Sequence, residues 1–254
     1  MSSLTVKGVE LGNGIPKTIV SLMGSTSVDI LNEGKRAIVA GADCLEWRVD
    51  MAFASMDAAQ LAHTARELGR AFPTTPLVAT FRSLGEGGNV ALDDGGYAEL
   101  LRTLVDAEGI DVVDVELNRG EQVYAPLLEY AHANDVLTIL SLHDFHATPE
   151  TDWMVSCLQR MATAGASICK LAVMATCPED CLRLMAASAR AHDLVETPLV
   201  TIAMGAHGSL SRLAGEVSGS ALTFCSLEQT SAPGQIDLNH ASTLMDELHE
   251  VLFP

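Results

Sequence analysis

The stretch ASICKLAVM (166–174) decides how this chain is read. Its β-branched and aliphatic residues describe a buried strand, yet Lys170 stands in the middle of it. Side chains alternate between the two faces of a strand, so Lys170 shares one face with Ile168 and Ala172. Cys169, Leu171 and Val173 make the other face, which is wholly apolar. An apolar face of that kind suits packing against helices, which turns the lysine toward the inside of the sheet. Burying the charge beneath helices would be the costlier arrangement. Desolvation disfavours an ammonium relative to the neutral amine, and a neutral amine is a nucleophile, so the position has a chemical use. Taken alone, the residue also reads as a strand-end lysine that snorkels to solvent or pairs with a carboxylate.

Seven further runs of the same kind lie along the chain: TIVSLMG (18–24), CLEWRVD (44–50), LVATFR (77–82), DVVDVELN (111–118), VLTILSLHDF (136–145), PLVTIAMG (198–205) and ALTFCS (221–226). Between them fall amphipathic segments such as MDAAQLAHTARELGRAF (56–72), VYAPLLEYAHAND (123–135), TDWMVSCLQRMATAG (151–165) and PEDCLRLMAASARAHD (178–193). Several open on Asp, Thr or Pro and close on Gly or Asn, as helix ends prefer. Eight strands that alternate with helices predict an α/β fold, a single (β/α)8 TIM barrel, in preference to an open doubly wound sheet. The dinucleotide glycine fingerprint and the Walker loop are both missing. The opening LTVKGVELGNGIPK (4–17) holds two short extended pieces around a turn, and predicts an N-terminal β-hairpin (1–17) that plugs the amino-terminal mouth.

The chain has 254 residues, 48% of them hydrophobic and 19% charged. Single-domain barrels run to about 250 residues, and no linker, charge block or repeat marks a boundary, so residues 1–254 are read as one domain. A formal charge of −18 argues against nucleic acid or an anionic membrane as partner. An anionic small molecule would need its own local cations. The first residues carry neither a signal-peptide layout nor a membrane-spanning run, and the chain is read as cytoplasmic. The six cysteines are dispersed, as reduced core thiols would be. Cys177 and Cys181 are four apart, but no second pair joins them and His192 is too isolated to complete a zinc set, so no metal site is expected.

Strand parity gathers Glu46 with Arg48, Thr80 with Arg82, Asp114 with Glu116, and Ser141 with His143, each pair near the carboxyl end of its strand. Catalytic groups of such barrels project from that end and from the loops that follow. Those loops read RSLGEGG (82–88), HDFHATP (143–149), MGAHGSLSRL (204–213) and LEQTSAPGQ (227–235). Each is rich in small residues, which suits closure over a ligand or, equally, plain turn chemistry.

Taken in order, EWRVD (46–50), FRSLGEGG (81–88), DVE (114–116), SLHDF (141–145), KLAVM (170–174), MGAHGSLSRLAG (204–215) and SAPGQ (231–235) resemble the type I 3-dehydroquinate dehydratase family, the Schiff-base enzymes of the shikimate pathway. The resemblance runs from about residue 18 to residue 240. It implies a hydro-lyase that removes water from 3-dehydroquinate by syn elimination, giving 3-dehydroshikimate. Lys170 would form the imine, His143 would act as general base and acid, and Glu86 would hold His143 in its tautomer. Arg212 would clamp the substrate carboxylate. Glu46, Arg48 and Arg82 would meet ring hydroxyls, with Ser21, Ser231 and Gln235 completing the shell. Arg48 and Arg82 carry a second reading, as counter-ions of Glu46, Asp114 and Glu116. The loop 227–236 would cover the substrate. The imine is itself an electron sink, so no metal or organic cofactor is implied. The family further implies a homodimer. A class I Schiff-base aldolase and a non-catalytic barrel that binds a small acid are the alternatives the residues leave open.

Overall fold

The computed structural model describes residues 3–254; the first two residues of the expected hairpin segment 1–17 lie outside them. β1 (Leu4–Val6) and β2 (Val9–Leu11) pair antiparallel across a two-residue turn at Lys7 and Gly8, both with positive φ, as a primed hairpin turn requires. The eight barrel strands follow: β3 (Lys17–Leu22), β4 (Cys44–Arg48), β5 (Leu77–Thr80), β6 (Val112–Glu116), β7 (Leu137–Asp144), β8 (Ile168–Met174), β9 (Leu199–Met204) and β10 (Leu222–Ser226). They lie side by side in chain order and parallel, with β10 next to β3. Helices alternate with them, among them Ala58–Ala71, Glu121–Ala133, Thr151–Thr163 and Pro178–His192.

The barrel closes between β9 and β10. At the amino end Ala221 N–H donates to the Leu199 carbonyl at 2.7 Å. Above that point side chains take over: Ser220 Oγ accepts from Thr201 N–H and Ser211 Oγ from Ala203 N–H, both at 3.0 Å. Each otherwise orphaned backbone donor is thereby satisfied.

Parity sorts the apolar residues into two cores. The outward Cys169, Leu171 and Val173 join the large cluster under the helices. Ile19, Cys44, Val78, Val112, Ile139, Ile168, Val200 and Leu222, one from each barrel strand, meet inside, and Val6 and Leu11 of the hairpin join them. The hairpin thus closes the amino-terminal end, and Lys7 Nζ anchors it 2.8 Å from Asp111. The carboxyl end is left for polar groups.

Strand ends, and one further short strand, differ from the expectation. The run 44–50 is strand only to Arg48, because Val49–Ala52 turns into a short helix. A two-residue strand, β11 (Ile236–Asp237), pairs with Cys225 and Ser226 after the 227–235 loop. It is too short to show a period in the sequence.

Candidate active site

Lys170 points from the middle of β8 into the carboxyl half of the barrel and is only 3% exposed. Its Nζ donates to Asp114 Oδ2 at 3.2 Å, lies 3.9 Å from Glu46 Oε1, and sits 4.4 Å from the centre of the Phe224 ring. The snorkelling strand-end lysine is excluded, because the amine is buried in mid-strand, whereas pairing with a carboxylate is what Asp114 provides. Burial opposes ionisation of Asp114, but Arg82 and Lys170 overcome it and hold that carboxyl well below the usual carboxylate range. Ser141 donates to its other oxygen. Glu46 in turn accepts from Ser21 Oγ and from Thr80 Oγ1.

His143, one strand over on β7, presents Nδ1 to Glu86 Oε2 at 2.9 Å. Burial, with Arg82 and Lys170 nearby, pushes the imidazole well below its ordinary pKa, so it stays neutral. Burial raises Glu86 to about 8 against the pull of Arg82. Glu86 lies in the short turn Leu84–Glu86 and is followed by Gly87 at φ 84°. A Cβ on Gly87 would fall 2.3 Å from the Phe145 ring, so glycine is what lets Phe145 close over this loop while stacking on His143.

The arginines divide. Arg82 is ion-paired, with Nη2 2.8 Å from Asp114 and Nη1 3.1 Å from Glu116, as its second reading anticipated, and Nη1 3.5 Å from Glu86, while it still lines the cavity. Arg48 is paired too, but with Asp50, which was given no role, rather than with Glu46, Asp114 or Glu116. Arg212 is different. It is buried, and among the described residues Nε has no partner and its guanidinium donates only to the carbonyls of Phe224 and Pro233. Burial without a nearby acid lowers it to about 10. A buried cation lacking a counter-ion is a site for an anion. The loop position expected for Arg212 is corrected: it lies in the short helix Ser209–Leu213, whose Ser211 stitches the barrel seam.

These groups surround a cavity of about 490 Å³, counting the part open to solvent, lined by every expected site residue except Ser21. Ser21 lies just behind, with Oγ 2.9 Å from Ser231 Oγ. Gln235 donates to the same Ser231 Oγ at 2.8 Å and its carbonyl accepts from Ser231 N–H, so the 227–235 loop holds its own shape over the opening. Sequence reasoning missed the apolar wall of the cavity, made by Phe145, Ile202, Met204 and Phe224. The signal was there: Ile202 and Met204 share parity in β9, as Leu222 and Phe224 do in β10.

What barrel and site define together is a class, the enzymes that activate a carbonyl compound as a lysine imine inside a (β/α)8 barrel. The model of the type I 3-dehydroquinase family matches residues 18–251. The chain is 40% identical over 250 residues to the 3-dehydroquinate dehydratase of Listeria welshimeri, covering 98% of this chain and 99% of that one. It is 38% identical over 251 residues to that of an Escherichia coli strain, covering 98% and 100%. Among solved structures, the type I enzyme of Clostridium difficile with covalently modified comenic acid superposes with a TM-score of 0.94 at 35% identity, over 98% of each chain. The Geobacillus kaustophilus enzyme also gives 0.94, at 32% identity over 98% of this chain and 99% of that one. The chain belongs to the type I 3-dehydroquinase family. It is a lyase that dehydrates 3-dehydroquinate through a lysine Schiff base in the shikimate pathway. The aldolase and the non-catalytic barrel fall away with that membership.

Proposed function

We propose that Lys170 is the imine-forming lysine, that His143 moves the protons, and that Glu86 orients His143. The observation that carries this reading is a buried amine facing the same cavity as a neutral, oriented imidazole and an arginine without a counter-ion. Lys170 Nζ attacks the C3 ketone, and loss of water gives a protonated imine. That cation acidifies the C2–H, and a base of ordinary strength then removes the proton. With Nδ1–H donated to Glu86 Oε2, the lone pair of His143 lies on Nε2, where it accepts the C2 proton. The enamine expels the C1 hydroxyl, which leaves as water with the proton returned by His143. Water then hydrolyses the product imine, freeing 3-dehydroshikimate and Lys170.

Asp114 keeps the amine aimed into the cavity, and Arg82 fixes Asp114 and Glu86 together. Arg212 takes the substrate carboxylate. Arg48, Arg82 and Glu46 meet ring hydroxyls, while Ser21, Ser231 and Gln235 complete the shell as loop 227–236 covers the ligand. Residues 1–254 act as one domain. The family resemblance supports a homodimer working in the cytoplasm; no helix among the described residues is long and apolar enough to cross a membrane. Incubation with 3-dehydroquinate tests the assignment as a whole. The conjugated enone absorbance of the product should appear with the wild type and be absent with Lys170→Ala.

A further inference from the structure

Asp50 is 2% exposed, and it does not line the cavity. Its carboxylate is nonetheless fully used at the cavity wall. Oδ1 accepts from Arg48 Nε at 2.8 Å and from the backbone N–H of Arg82 at 3.2 Å, and Oδ2 accepts from Arg48 Nη2 at 2.8 Å. We infer that Asp50 is a positioning residue, which fixes the guanidinium of Arg48 in the orientation that meets the substrate and registers it against Arg82.

A guanidinium held through Nε and one Nη by a bidentate carboxylate loses its freedom to rotate, because the fork is planar and rigid. Arg48 is left with a single nitrogen, Nη1, not committed to Asp50, and Arg48 is the member of the pair that faces the cavity. The same carboxylate binds the main chain at the carboxyl end of β5. One side chain therefore ties the ends of two neighbouring strands and sets the spacing between two arginines of the site.

The local fold is built for this. An extended chain would carry Asp50 one more pleat beyond Arg48, whereas the helical turn Val49–Ala52 brings it back beside the guanidinium. A carboxylate is required, and not only an acceptor. Burial disfavours the Arg48 cation, Asp50 more than restores it, and Glu46 adds a smaller attraction on the cavity side. Without Asp50, Glu46 is the other acid that attracts Arg48, which would take the guanidinium from the substrate and crowd a carboxylate that lies 3.9 Å from Lys170 Nζ.

This inference rests on the proposal that Arg48 contacts a substrate hydroxyl, and a double-mutant cycle separates the two. Arg48→Met, Asp50→Asn and the double variant are compared with wild type for KM and kcat on 3-dehydroquinate, with thermal melts to verify folding. Losing one aligned charge-assisted hydrogen bond should raise KM by roughly 10- to 100-fold in Asp50→Asn, with a smaller fall in kcat. Borohydride should still trap ligand at Lys170. The double variant should be no worse than Arg48→Met, within about twofold, since coupled residues do not add. Additive losses, or an unchanged KM in Asp50→Asn, would overturn the role given to Asp50. An unchanged KM in Arg48→Met removes Arg48 from the substrate shell and Asp50's role with it. Should Asp50→Asn fail to fold, Asp50→Glu reads the same point: the charge remains, the fork is displaced, and KM should rise, whereas a wild-type KM in that folded variant would refute the positioning.

Discussion

Nδ1 of His143 lies 2.9 Å from Oε2 of Glu86, and both groups are neutral near pH 7: burial holds the imidazole far below its ordinary pKa and lifts the carboxyl to about 8. Glu86 therefore serves His143 as a hydrogen-bond acceptor, not as a charge. The same arrangement leaves Glu86 Oε1 buried without a partner among the described residues, which an ionised carboxylate would tolerate poorly.

Glu86→Gln keeps an acceptor oxygen and removes only the ionisation. At pH 7 it should lose no more than about tenfold in kcat/KM, the worth of one neutral hydrogen bond, and Glu86→Ala should lose more. The pH profiles of wild type and Glu86→Gln should part only above about 8, where the wild-type carboxyl ionises. A Glu86→Gln enzyme as damaged as His143→Ala would show that the charge is needed after all.

For His143 the sign of the shift sets the acid limb of activity. A depressed pKa keeps the imidazole neutral and basic below the ordinary histidine value of about 6.5, so kcat/KM should begin to fall only at lower pH than that. The same depression destabilises the fold as pH falls below about 6.5, where the unfolded chain takes up the proton that the folded site resists. His143→Ala should cost roughly a hundred- to ten-thousand-fold in kcat and accumulate a covalent intermediate visible by mass, because the imine forms but its C2 proton has no base. Near-normal turnover would move the base elsewhere, with Glu86 the first candidate.

Arg212 has two jobs, and they separate experimentally. As the buried cation without a counter-ion it should clamp the carboxylate, and Arg212→Ala should weaken binding by about 2 to 5 kcal/mol, read chiefly in KM. As donor to the carbonyls of Phe224 and Pro233 it also joins β10 and the 227–235 loop, so the melting temperature should fall as well. An analogue without the carboxylate should bind wild type poorly and lose little more in the variant. Equal weakening of both compounds would leave only the structural job.

Much of this geometry could be read from parity. The alternation that turned Lys170 inward also placed Glu46, Arg48, Arg82 and His143 inside the barrel, and two short extended pieces around a turn marked the hairpin. What escaped depends on contacts between elements. The counter-ion reading anticipated Arg82 beside Asp114, but the parallel register that sets Thr80 opposite Asp114, and so fixes which acid it meets, is encoded by no single strand. Arg212 sits in GAHGSLSRL, whose glycines and serines read as loop, yet Ser211 bonds across the seam and holds a turn of helix there. Asp50 was hidden because its role begins where the strand stops and the chain turns back on Arg48.

Whether Lys170 is the nucleophile is read from the intact mass of the protein after borohydride treatment in the presence of 3-dehydroquinate or its product. The reduced imine should add one ligand per chain, and peptide mapping should place it on Lys170, with Lys170→Ala taking up none while still binding ligand through its remaining contacts. No adduct, or an adduct on Lys7, Lys17 or Lys35, would contradict that role.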